Sequence, residues 1–425
     1  MTVTIEQLRQ RELEREDQQR DFVCPDCIQD RFLQPHMCHL YAPRVCIGCG
    51  VSTKRAITSR RLAALVGPIL PRHFEIDQGH FPGYEFTLAV IVGNALSCSK
   101  QRVLESVASW LELPDAEQDE LEVESDHFYA NGQAYQWSDN PFDDEDHERW
   151  YVVGDWHYAA KQLTHSRRFF NEKVRELFEG ILHEALEAEG FDGDGLCPII
   201  KEVQVGFEFF RARVAKNFDE EQTISANPAT QLGAPPKECA TNGRMSPAGI
   251  PFLYLAGDLR TCVAEVRPSI GDTVVVGKFR TSKRLKIFDL MALSGRLSHQ
   301  PLSFFDPSFE IRSQRRTLLR YLHGEISRPA KTTDTDYLMT QAFTEYIRFD
   351  CREKFDGVAF RSVQRADGIN YVLFDVTSDE ERAPRDWKPR FDVEISPSDV
   401  FVVEVSGVEY STVRKKTFLR HSTLT

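Results

Sequence analysis

Four of the ten cysteines in this chain are spaced to hold a metal ion. Cys24-Pro-Asp-Cys27 and Cys46-Ile-Gly-Cys49 are two Cys-x-x-Cys knuckles with 18 residues between them. That is the pattern of a closed tetrahedral zinc site, in which four thiolates leave no coordination position open for catalysis. Gly48 and Gly50 let the backbone curl around the ion. His36, Cys38 and His39 lie between the knuckles, and the complete four-cysteine set makes them spectators. Arg31, Arg44, Lys54 and Arg55 are the cations nearby. On an acidic chain they argue for a structural zinc with a folding or docking role rather than a nucleic-acid contact.

A second set of reactive side chains lies beyond residue 200. Gly243-Arg244-Met245-Ser246-Pro247-Ala248-Gly249 is a loop leading into the strand pattern Phe252-Leu253-Tyr254-Leu255-Ala256. Asp258 then opens a helix as N-cap, with Leu259, Cys262, Val263 and Val266 as its core-facing set and Glu265 beside that stripe. A carboxylate so placed is either tethered by a neighbour such as Arg267 or kept for chemistry. Phe209-Phe210-Arg211-Ala212-Arg213 precedes this stretch. Phe355-Asp356-Gly357-Val358-Ala359-Phe360-Arg361-Ser362 and Asp367-Gly368-Ile369-Asn370-Tyr371-Val372-Leu373-Phe374 follow it. Each of these residues also has a plain structural role open to it: strand-edge ion pairs for Arg211 and Arg213, a core ring for Tyr254, turns for Ser362 and Asn370.

Taken together and in this order, the segments from about Gly206 to Phe374 resemble the RES domain family, named for its Arg, Glu and Ser. The resemblance implies a fold similar to ADP-ribosyltransferases and the activity of toxin–antitoxin toxins that destroy NAD by hydrolysis or phosphorolysis. It would make Arg211 the family's first Arg, Arg244 the Arg of its Gly-Arg loop, Tyr254 its strand Tyr, Glu265 its Glu and Ser362 its Ser. Many members carry Tyr after the first Arg, where this chain has Ala212.

Breaking a nicotinamide–ribose bond builds positive charge on the ribose, so a nearby carboxylate is needed, and Glu265 is the candidate. Forked, permanently charged donors suit a pyrophosphate, which points to Arg211 and Arg244. Tyr254 offers a flat face to an aromatic ring, while Ser362 and Asn370 can hydrogen-bond a phosphate or the carboxamide. The expected catalytic set is thus Glu265, Arg211, Ser362 and Tyr254, and the expected NAD-binding set Arg211, Arg244, Tyr254, Ser362 and Asn370. No Gly-rich dinucleotide fingerprint precedes a helix, which argues against hydride transfer on a doubly wound fold.

The elements that must position these groups follow from the patterning. The 425 residues carry 52 Lys+Arg against 65 Asp+Glu, a net charge of −13, with 41% hydrophobic residues, enough for two or three domains. No apolar run reaches the ~20 residues of a membrane span, and the charged start lacks a secretory signal, so a cytoplasmic protein is expected. Residues 3–20 read as a solvated lead helix, and the acidic stretch 113–148 as a solvated face and loop. Residues 60 to about 195 are helical in pattern. Their clearest helix is predicted over Arg167–Leu186, with Phe170, Val174, Leu177, Ile181, Leu182 and Ala185 in one stripe.

Beyond Cys197, EVQVGFEFFRAR, PFLYLAG, DTVVVGKF, KIFDL, DGVAF, INYVLFDV and DVFVVEV read as strands, with a helix over Leu338–Phe349 and a long loop over Ala215–Asn242. The expected architecture is therefore α+β and multidomain. A lead helix and zinc knuckle occupy residues 1–55, a helical domain residues 56–198, and a mixed α/β RES domain with an ADP-ribosyltransferase-like fold residues 199–425.

A zinc knuckle, a helical region and a RES end also resemble the arrangement in which a HEPN-like domain precedes RES. Catalytic HEPN ribonucleases carry Arg, four to six residues, then His on a helix. Within residues 20–200 only Arg31 and His36 match, with Pro35 before the His, and seven residues separate Arg175 from His183. A regulatory or docking role is thus expected for this half. The expected partners are NAD, a phosphate co-substrate, a protein antitoxin or inhibitor and a second copy of the chain, with neither membrane nor nucleic acid. Protein ADP-ribosylation at the same residues, and an RNA-binding or ribonuclease role for the amino-terminal half, are the alternative activities.

Overall fold

The computed structural model describes residues 21–77, 86–112, 128–130, 132–138, 145–192, 195–327, 337–365, 367–382 and 386–408. The lead helix expected over 3–20 and most of the acidic stretch 113–148 lie outside them. The chain divides into two compact units, residues 1–151 with 300–314, and residues 152–299 with 315–425. No helix among the described residues is long and apolar enough to cross a membrane.

In the first unit, β1 (Phe22–Val23), β2 (Cys38–Val45) and β3 (Ser52–Thr58) form an antiparallel sheet in the order β1-β3-β2. Thr58 ends β3 and caps α1 (Ser59–Val66) by accepting from the Arg61 amide. After α2 (Leu70–His73) and β4 (Phe74–Ile76), α3 (Leu88–Leu96) and α4 (Gln101–Ala108) complete a helical layer, and β5 (Tyr135–Trp137) pairs with β4. Sequence composition suggests a cysteine module held without an apolar core. Instead Cys24, Cys27 and Cys46 join Ile28, Leu62, Ile91 and Val103 in one buried cluster. Each such aliphatic side chain contributes roughly 1.5–3 kcal/mol by leaving water.

The second unit holds most of α5 (Glu145–His165), from Val152 on, and all of α6 (Glu172–Leu186). Residues Val174, Leu177, Ile181, Leu182 and Ala185 form the buried stripe of α6, as the spacing predicts. The helix starts later than expected because the Asn171 side chain accepts from the Val174 amide as N-cap. Phe170 is left outside in a left-handed conformation (φ 52°), exposed rather than part of the stripe.

A small sheet follows, in which β6 (Glu189–Asp192) pairs with both β7 (Gly195–Leu196) and β13 (Arg296–Ser298). The main sheet of nine strands is built from β8 (Ile200–Val203), β9 (Glu208–Ala215), β10 (Leu253–Ala256), β11 (Thr273–Thr281), β12 (Leu285–Asp289), β14 (Gly357–Arg361), β15 (Ile369–Leu373), β16 (Val393–Glu394) and β17 (Val400–Glu404). Its order is β16-β11-β9-β10-β15-β14-β12-β8, with β17 also on β11, and every pairing is antiparallel except β12 with β14. The segment expected as one strand from residue 202 is split, because Gly206 turns the chain in the left-handed region (φ 82°).

Strand alternation sends Val358 and Val372 to one face and Ala359, Tyr371 and Leu373 to the other. The first face packs on α5, α6, α10 (Phe309–Ser327) and α11 (Leu338–Phe349), where Phe343 meets Trp156 and Phe178 at ring separations of 5.9 and 5.2 Å. The second face is covered through Ile224 and Leu232. The long loop expected over 215–242 is instead interrupted by α7 (Phe218–Ala226) and α8 (Pro228–Gln231). Asn217 caps the first by accepting from the Glu220 amide, and Pro228 starts the second.

Candidate active site and metal centre

The ligand atoms of Cys24, Cys27, Cys46 and Cys49 all lie within 4.8 Å of one another. Cys24 Sγ is 3.5 Å from Cys49 Sγ, and Cys27 Sγ is 3.6 Å from Cys46 Sγ. A tetrahedron with metal–sulfur bonds of ~2.3 Å has sulfurs ~3.8 Å apart, so the cluster is compatible with a zinc knuckle. Burial, together with the contacts from Cys49 and Cys46, pushes the Cys24 thiol up to about 11, and burial also raises Cys27. Burial opposes ionisation of Cys46 too, but the amides of Cys24, Cys49 and Gly48 outweigh it and bring that thiol down to about 7. A Cβ on Gly48 would meet Cys27 Sγ and a Val103 methyl at 2.9 Å each, so this glycine serves both the knuckle and the packing beneath it. Cys38 lies apart, exposed and 3.3 Å from Arg61 Nη1.

The second centre is a cavity of about 440 Å3 lined by residues of β9, β10 and β15 and of α9 (Leu259–Glu265), among others. This volume lies in the range of small-molecule sites. Helix α9 begins where Asp258 accepts from the Thr261 amide at 3.0 Å, and it buries Cys262 against Ala256, Val274 and Val276. Glu265, at its last turn, lines the cavity. Its Oε1 accepts from Ser362 Oγ and from Asn370 Nδ2, both at 2.6 Å. Among the described residues no side chain bonds its Oε2. Arg267 does not tether Glu265. It follows the helix in a left-handed conformation (φ 48°), and the Gln364 amide oxygen accepts from its Nη2 and Nε at 2.7 and 3.1 Å.

The sheet register delivers the two donors. Asn370 on β15 lies opposite Ala256 of β10 and Phe360 of β14, and Ser362 follows the end of β14. Ser362 Oγ also accepts from the Gln364 and Arg365 amides at 3.1 and 3.2 Å, which leaves its proton for the carboxylate. A Cβ on Gly368 would lie 2.9 Å from that of Ser362, so glycine is required for this approach.

Arg211 on β9 lines the same cavity, and its Nη1, closed to solvent, has no hydrogen-bond partner among the described residues. Burial lowers its guanidinium to about 10. An unsatisfied buried cation of this kind is costly unless an anion arrives. Arg244 also lines the cavity, donating from Nη1 to the Ile326 carbonyl at 2.8 Å and lying 5.3 Å from the Tyr337 ring centre. Tyr254 Oη accepts from the Met245 amide at 3.1 Å and shares a hydrogen bond of 3.0 Å with Ser246 Oγ, and burial raises its phenol. A Cβ at position 243 would be 2.7 Å from Tyr254 Oη, which explains the glycine of the Gly-Arg loop.

Arg211, Arg244, Tyr254, Glu265 and Asn370 thus line one cavity, and Ser362 reaches it through Glu265. Ser362 and Asn370 spend donors on the carboxylate rather than standing free for a ligand. Sequence reasoning did not single out Tyr337 or Gln364. Tyr337 lies just before α11 and Gln364 in the turn between β14 and β15, and neither position carries a periodic or spacing signal. Three guanidinium groups, of Arg211, Arg244 and Arg267, against one carboxylate make the cavity suited to an anionic ligand.

Neither the curated proteins nor the solved structures contain a match to this chain. Residues 210–394 match the family model of the RES domain, a span that contains Arg211, Arg244, Tyr254, Glu265, Ser362 and Asn370.

Proposed function

We propose that the protein consumes NAD, cleaving its nicotinamide–ribose bond by hydrolysis or phosphorolysis on an ADP-ribosyltransferase-like fold. The observation that carries this is the Glu265 carboxylate held through one oxygen by Ser362 and Asn370, in the same cavity as the unpartnered Arg211 guanidinium. Glu265 stabilises the positive charge that develops on the ribose as nicotinamide leaves, and its two donors fix it in place beforehand. Arg211 and Arg244 bind the pyrophosphate as forked donors, and the burial cost of Arg211 is offset when that anion arrives. Tyr254 flanks the aromatic end of the substrate.

Zinc is the metal we assign to Cys24, Cys27, Cys46 and Cys49, with a structural role. The amino-terminal half is then a regulatory or docking region, and an antitoxin-like inhibitor is the protein partner that such an enzyme requires in a cell.

The test is to incubate the purified protein with NAD, with and without phosphate, and to identify the products. Free nicotinamide from wild type and at least about 1,000-fold less from Glu265→Gln is the expected result, given a loss of ~4 kcal/mol of transition-state stabilisation. ADP-ribose as co-product means hydrolysis, ADP-ribose 1″-phosphate means phosphorolysis, and label left on a polypeptide means ADP-ribosyl transfer. Full nicotinamide release by Glu265→Gln would remove this carboxylate from the mechanism.

A further inference from the structure

We propose that the ribbon formed by β2 and β3 binds single-stranded nucleic acid, a function separate from the cavity and independent of its chemistry. The net charge of −13 argues against such a contact for the chain as a whole, but the charge is unevenly distributed. Residues 31–74 contain Arg31, Arg44, Lys54, Arg55, Arg60, Arg61 and Arg72 and not one Asp or Glu. At the chain's average of 65 acidic residues in 425, a stretch of this length would hold about seven.

The fold concentrates part of this charge on an open edge. β2 is the outer strand of its sheet, paired only with β3 among the described strands. His39 lies opposite Arg55, and Arg44 opposite Thr53. Thr53 and Arg55 are two apart on one strand, so His39, Arg44 and Arg55 share a face. Between these pairs the register slips, and residues 40–43 of β2 stand opposite Lys54 alone. The strand therefore bulges, and Tyr41 on the bulge is fully exposed (105%).

Tyr41 is exposed on a ribbon whose strands carry Arg44, Lys54 and Arg55, and an open aromatic ring on a cationic strand pair is how proteins hold unpaired bases and their phosphates together. Forked guanidinium donors fit phosphate oxygens, and an acidic peptide would leave the Tyr41 ring without a partner. The second knuckle joins the two strands of the ribbon directly, with Cys46 following β2 and Cys49 lying before β3, so a filled cysteine cluster would hold its base rigid.

The test is fluorescence anisotropy of the full-length, zinc-loaded protein with labelled 20-nucleotide oligo-uridine and oligo-deoxythymidine. Four phosphate contacts to a single strand give an affinity that falls about 50-fold between 50 and 200 mM salt. The triple variant Arg44→Ala, Lys54→Ala, Arg55→Ala is expected to bind at least about 10-fold more weakly, and Tyr41→Ala about 5-fold or more. Both should keep their zinc content and nicotinamide release, which separates loss of binding from loss of folding. A preference for the RNA or the DNA probe identifies the natural strand. No binding to either probe at 50 mM salt, equal binding by the triple variant, or capture of polyglutamate or anionic vesicles in place of oligonucleotide would each overturn the proposal. Unchanged affinity of Tyr41→Ala would remove base stacking, and with it the choice of nucleic acid.

Discussion

The cysteine cluster and the Glu265 cavity are assembled in opposite ways. The four sulfurs come from two tight turns within 26 residues of chain, so local backbone geometry does most of the positioning. The cavity gathers residues from position 210 to position 370, and the sheet register together with helix α9 and the loops around it decides which side chains meet. Each cysteine has the same task as its neighbours. In the cavity Glu265, Arg211 and Arg244 carry the chemistry proposed above, and Ser362 and Asn370 serve to hold the carboxylate. A locally built centre should lose everything at once when one ligand pair is removed, whereas a distributed one should fail in graded steps.

The strongest break is a crossed pair of variants. Cys24→Ser with Cys27→Ser is expected to release one equivalent of bound zinc, read by atomic absorption, and to lower the first unfolding transition by ~10 °C or more while nicotinamide release persists. Glu265→Gln should do the reverse, keeping its zinc and its melting profile. A wild type without zinc would undo the comparison.

Arg211→Met separates stability from function within the cavity. Burial depresses this guanidinium to about 10, still above neutral pH, so at pH 7 the folded chain bears the cost of a buried charge. That cost is fully present well below the folded pKa and is relieved as pH rises through it towards the unfolded value. Methionine fills similar space without charge. A gain in stability on the order of 1 kcal/mol is expected in calorimetry, alongside a loss of turnover of about 100-fold or more. A destabilised variant would mean that Arg211 has an anionic partner already.

Smaller effects should follow from the two donors. Ser362→Ala and Asn370→Ala each remove one of the bonds to Glu265 Oε1. Each should lower kcat about 10-fold with KM little changed, because the carboxylate is held less firmly rather than removed. A rise in KM alone would assign them to ligand binding instead. Least affected should be Gly243→Ala, whose new methyl must displace Tyr254 Oη. A cost of ~1–2 kcal/mol in stability is expected, and an unchanged melting temperature would show that the loop yields freely.

The sequence alone made much of this legible, for identifiable reasons. Helix α11 matches its predicted bounds because Met339, Phe343, Tyr346 and Ile347 recur at helical spacing, and β11, β14 and β15 are marked by short segments rich in β-branched and aromatic residues. Phe170 misled because it fits the apolar period while Asn171 offers better capping chemistry one residue later. The helices within 215–242 were hidden by a composition of Asn, Pro and Thr that marks loops in general but caps helices here. The candidate residues of the cavity could be named from their order. Who bonds whom could not, since the pairing of Ser362 and Asn370 with Glu265 depends on strands about a hundred residues away. The order β1-β3-β2, which leaves the basic ribbon at an edge, left no mark in the sequence pattern.

The placement of β10 in the main sheet has a consequence for how this protein is made. β10 carries Tyr254 and runs between β9, which has already been synthesised, and β15, which emerges from the ribosome more than a hundred residues later. Until β15 arrives, Asn370 is absent, Ser362 has no anchored strand behind it, and Glu265 has neither donor. A half-made chain therefore has no assembled cavity, and the NAD cleavage proposed above would stay silent throughout translation. The interval between the appearance of α9 and the closing of β15 is a window in which a partner could capture the chain before it is ever competent.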